Sequence, residues 1–96
     1  MSPIKKKKLD KLRKELDNID NSLIKIIKKR TDVVKRVLRL KEFKNQIVDK
    51  KRIKIILKNI KIKSIRNNID PKITQKIWKN MIWSYIDYER RNFKKK

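Results

Sequence analysis

The sequence predicts an all-α protein of three helices, the first too long for its own chain to cover. Three observations carry that prediction. No glycine occurs among the 96 residues, and sheets with tight hairpins usually need it at their turns. Leu9, Leu12, Leu16, Ile19, Leu23, Ile26, Arg30, Val33, Val37 and Leu40 follow one another at alternating steps of three and four, which is a heptad seam along one helix. The only prolines are Pro3 and Pro71, and Asp70-Pro71 reads as an N-cap followed by proline at the first helical position.

Helix 1 is expected from about Ile4 to Lys44. At 1.5 Å per residue, some 40 residues make a rod of roughly 60 Å. A compact monomer of this size has a radius of gyration near ~13 Å. Helices 2 and 3 can bury only part of such a seam, so an intertwined helical homodimer is expected. Helix 2 should open near Val48 or Asp49, with Asp49 as N-cap, and close around Asn67-Asn68. Its Ile53, Ile56, Leu57, Ile60 and Ser64 share a core face. Helix 3 should run from Asp70-Pro71 to about Phe93, with Trp78, Ile82, Tyr85, Glu89 and Phe93 in one stripe. Residues 1–96 read as a single domain, with the basic residues 1–8 and the lysines of 94–96 expected to fray.

Composition narrows the chemistry. Cysteine and histidine are both absent, which argues against a transition-metal site and removes every His-dependent nucleophile. No apolar run approaches the ~20 residues needed to span a membrane. Lys5–Lys8 is followed by no apolar segment of the secretory kind, so a cytoplasmic location is expected. The net charge of +22 draws anions toward the chain. It admits nucleic acid as a partner through phosphate contacts, and equally admits a merely solvated Lys-rich surface.

Two ionisable residues occupy inward positions. Arg30 stands on the helix 1 seam, and Glu89 on the helix 3 stripe. A buried charge is costly unless an opposite charge meets it. A bland reading of Glu89 is a salt bridge to a lysine at the helix end. Arg30 instead suggests an anionic ligand, because the chain has few acids to spare. Met81, Trp83 and Tyr88 read as packing or interface residues.

Arg30 and Lys41 lie eleven residues apart, three helical turns, and so share a face about 16 Å along the axis. Arg13 lies about 25 Å from Arg30 on the same helix, out of reach of one small molecule. In an antiparallel dimer the partner's Arg13 can reach it. Arg52 is placed to close the site, and the N-terminus of helix 2 near Asp49 offers backbone donors. The set describes several cations and one acid, with no nucleophile, metal or redox group. Such a pocket suits a concerted rearrangement, in which the protein holds the reactive conformer and stabilises developing charge.

These residues also carry a family likeness. Leu12-Arg13-Lys14-Glu15-Leu16-Asp17-Asn18-Ile19-Asp20 resembles the L-R-x-x-I-D-x-I-D opening of the AroQ class of all-helical chorismate mutases. Leu23 through Lys29, then Arg30, is similar to that family's L-L-x-L-L-x-x-R. Lys41, followed eleven residues later by Arg52, matches its lysine and helix 2 arginine. The resemblance implies a dimer with two active sites, each built from both chains, and no cofactor. It implies that Arg30 and the partner's Arg13 bind two substrate carboxylates, and that Lys41 donates to the ether oxygen whose bond breaks. Asp49 and Arg52 would shape the mouth. Glu89 stands where the family usually has a glutamine donating to the same oxygen. A glutamic acid donates only when protonated, a form that burial favours and a neighbouring ammonium opposes.

Two positions depart from the mutase pattern. Ile53 stands where many mutases place a glutamate, and Tyr85 where many place a serine. Both look more like the isochorismate pyruvate-lyase branch of the same fold. Glu89 and Asp49 pull back toward a mutase. The expected activity is therefore conversion of chorismate to prephenate, with isochorismate pyruvate lyase as the alternative. From a different class, a basic helical dimer binding nucleic acid leaves Arg30 on the seam without a reason.

Overall fold

A computed structural model describes residues 1–94 as helix α1 (Pro3–Leu40), a one-turn 3-10 helix (Lys44–Gln46), α2 (Lys50–Arg66) and α3 (Pro71–Asn92). There is no strand among the described residues, so the all-α prediction is met. Lys95 and Lys96, within the stretch expected to fray, lie outside the described residues.

Residues 1–33 form one compact unit, made almost wholly of α1. Ser2 starts it: its hydroxyl accepts from the Lys5 N–H at 3.2 Å, and its carbonyl from the Lys6 N–H at 2.9 Å. Pro3 sits at the first position, where a missing N–H is harmless. The basic stretch Lys5–Lys8, expected to fray, is therefore helical. The seam residues Leu12, Leu16, Ile19, Leu23 and Ile26 are between 48 and 58% exposed.

Residues 34–96 form the second unit. Helix α1 stops at Leu40 rather than near Lys44. The cause is Gln46, whose Oε1 accepts from the Glu42 N–H at 2.7 Å and the Phe43 N–H at 2.8 Å. Those two donors leave the helical ladder, and the chain turns. Lys41 closes the last turn with a tighter bond from its N–H to the Leu38 carbonyl at 3.2 Å.

Helices α2 and α3 form a hairpin. Asp49 caps α2 by accepting from the Arg52 N–H at 3.0 Å, and Asp70 caps α3 by accepting from Lys72 N–H at 2.9 Å. Between them Asn68 takes a left-handed conformation, φ 55°. The Ile69 N–H bonds to Ser64 O at 2.9 Å and the Asn68 N–H to Ile65 O at 3.2 Å, the Schellman pattern that asparagine tolerates nearly as well as glycine. The core is Ile47, Ile82 and Ile86, with Val48, Ile53, Ile56, Leu57 and Phe93 packed against it. Two polar ties cross the hairpin. Ser64 Oγ and Thr74 Oγ1, both buried, lie 2.6 Å apart, and Gln75 Nε2 donates to the Leu57 carbonyl at 2.7 Å.

Candidate active site

The inward charge on α3 has a partner. Lys41 Nζ donates to Glu89 Oε1 at 2.9 Å, with the glutamate side chain 7% exposed and the lysine side chain 19%. The sequence places the two groups by different means. Glu89 comes from the buried stripe of α3, one turn beyond half-buried Tyr85. Lys41 comes from the turn that Gln46 pulls out of α1. An ion pair this deep loses solvation on both sides, so removing either partner is far more costly than at a surface pair.

An ammonium carries three donors. One of Lys41's is committed to Glu89, which fixes the head group and leaves two for a ligand. Lys41 also lines an open concavity of about 740 Å³ together with Gln46, Val48, Asp49, Lys50 and Lys51. Three lysines and one carboxylate thus face the same space. Asp49 itself is held by its capping bond to the Arg52 backbone. The Arg52 side chain is exposed, while Ile53 packs into the α2–α3 core.

On α1, Arg30 is half-buried and Arg13 is exposed. They lie seventeen residues apart, about 25 Å along the helix, so one chain does not bring them to one small ligand. The sequence reading had not singled out Gln46, Lys50 or Lys51. The available signal for Gln46 was an amide three residues after Phe43, the spacing of a capping side chain. Lys50 and Lys51 were visible as the first turn of α2, beside an expected donor site.

This assembly can orient and stabilise an anion through cationic donors, one of them held in place by a carboxyl group. The described residues offer it no histidine or cysteine, so covalent catalysis through those groups is closed to it. The all-helical architecture sets a recessed lysine–carboxyl pair beside a basic hollow. Residues 12–90 match the family model for chorismate mutase type II, and the chain belongs to that family. No curated protein and no solved structure matched the chain. Among the described residues, no helix is long and apolar enough to cross a membrane.

Proposed function

We propose that the protein isomerises chorismate to prephenate by a Claisen-type [3,3] rearrangement. The observation that carries this reading is the recessed Lys41–Glu89 pair, 2.9 Å apart, in a chain of the chorismate mutase type II family. The rearrangement moves three electron pairs around a six-membered ring. The ether C–O bond breaks as a C–C bond forms, and no proton or electron leaves the substrate. No cofactor takes part.

In this proposal residues 1–96 act as one catalytic domain, and two chains intertwine so that each site takes residues from both. Arg30 and the partner's Arg13 bind the two carboxylates and hold the compact diaxial chair. Lys41 directs its remaining donors at the ether oxygen, where negative charge builds. Glu89 anchors the Lys41 ammonium toward the same atom. Asp49 and Arg52 shape the mouth, and Ile53 and Tyr85 pack against the ring. Such groups act because they are already oriented when charge develops. The long apolar seam of α1, exposed on a single chain, supports the dimer. The expected compartment is the cytoplasm.

A second reading keeps the pocket and changes the substrate. Ile53 and Tyr85 favour isochorismate pyruvate lyase, since they replace the glutamate and the serine that many mutases carry at those positions. Incubating the protein separately with chorismate and isochorismate distinguishes the two. Prephenate from chorismate supports the mutase. Pyruvate with salicylate from isochorismate, and no prephenate from chorismate, sinks it.

A further inference from the structure

The charge of +22 exceeds what a pocket for one dianion uses, and the outer face of α3 shows where some of it collects. Lys72, Lys76, Lys79, Trp83 and Arg90 recur at steps of four, three, four and seven, and therefore line one stripe of the helix. All five are exposed, Trp83 at 52%. The stripe borders the face that buries Thr74, Ile82, Ile86 and Glu89, with Ile86 three residues beyond Trp83. None of its four cations forms an ion pair among the described residues. Asp87, the nearest acid on α3, is held by Arg91 at 3.0 Å.

A tryptophan in water is a poor choice for a surface that only needs to be soluble. Within this row it is the one apolar group, with Lys76 and Arg90 each seven residues away, about 10.5 Å along the axis. Ile73 and Ile77 are exposed as well, at 56 and 50%, but lie on a different line of the helix, six or more residues from Trp83. A lipid surface needs a contiguous apolar face to insert. A flat ring flanked by ammonium and guanidinium groups matches a different ligand, in which planar bases alternate with phosphates. Base stacking on an aromatic side chain, with the backbone tracked by cations, is how sequence-tolerant single-strand sites work.

We infer that the outer face of α3 binds single-stranded nucleic acid, stacking a base on Trp83 while Lys72, Lys76, Lys79 and Arg90 hold the flanking phosphates. The site stands apart from Lys41 and Glu89 and is independent of the catalytic proposal.

The test uses the full chain and a labelled oligothymidylate of about ten nucleotides, inside the roughly 4–16-nucleotide range of single-strand sites. Binding should quench Trp83 fluorescence, leaving the half-buried Trp78 as background. The affinity should fall with salt at a log–log slope near −3, from about 0.7 per phosphate contact over four cations. Trp83→Leu should abolish the quench and weaken binding roughly tenfold or more. Lys76→Gln with Lys79→Gln should reduce the slope by about 1.4. Circular dichroism confirms that each variant keeps its helices. If folded Trp83→Leu binds the oligonucleotide like the parent, the inference fails. It fails too if phosphatidylglycerol vesicles shift Trp83 emission to the blue while the oligonucleotide leaves it unchanged.

Discussion

Lys41 and Glu89 stand 48 residues apart in sequence and 2.9 Å apart in space, at the end of α1 and the last turns of α3. One recessed contact therefore joins a structural tie to the candidate chemistry. Changes at either residue should disturb both, and the two effects separate experimentally.

Lys41→Ala removes the donor and strands the Glu89 carboxyl without its partner. Breaking a buried pair costs about 3–5 kcal/mol, so a loss of stability near the lower end is expected. Lys41→Gln keeps a neutral donor and should recover much of that stability. Turnover should remain about 10²–10³-fold below the parent in both variants, because the charged donor is gone. Urea melts and steady-state rates on the folded fraction check the split. Parent-like turnover in Lys41→Gln would remove Lys41 from the chemistry.

Glu89 holds the Lys41 head group, and an amide in its place keeps an acceptor for Nζ. Glu89→Gln should therefore retain most of the parent's kcat/KM, whereas Glu89→Ala should lose about 10²-fold or more. Steady-state rates on the folded fraction of each variant check the difference. Parent-like turnover in folded Glu89→Ala would leave Glu89 no role in the chemistry.

Shared sites predict complementation. Arg13→Ala and Arg30→Ala should each abolish activity alone. Mixed in equal amounts and refolded together, half of the dimers pair the two variants, and one of their two sites is intact. About a quarter of parental activity should return. No recovery, with mixed dimers verified by mass, would place both arginines in one chain's site.

The hairpin makes a prediction about stability alone. Ser64 Oγ lies 2.6 Å from the Ile60 carbonyl and 2.6 Å from Thr74 Oγ1. With the serine proton on Ile60, Thr74 is the donor across the helices. Thr74→Val leaves Ser64 short of a donor and should cost about 1–3 kcal/mol. Adding Ser64→Ala should cost less than the sum of the single changes, because the second removes a group the first had already orphaned. Thermal melts of the three variants measure the coupling.

The starts of α2 and α3 were legible because Asp49 and Asp70-Pro71 act within a few residues of themselves. The end of α1 was not. Periodicity carries on past Leu40, and the turn is imposed by Gln46 reaching back to two backbone donors, an event no hydrophobic pattern records. The two inward charges could be read from their positions on apolar stripes. That Glu89 meets Lys41, whereas Lys50 and Lys51 face the same hollow as Lys41, depends on how separate elements fold together. Arg30 is half-buried on its seam.

The uncovered row from Leu12 to Ile26 gives the molecule half a zipper. In the dimer proposed above a second copy closes it, and a rod of this kind gains little from its own turns once packing is lost. Diluted far enough, the protein should therefore shed ellipticity and catalysis together, at one threshold set by how often two copies meet.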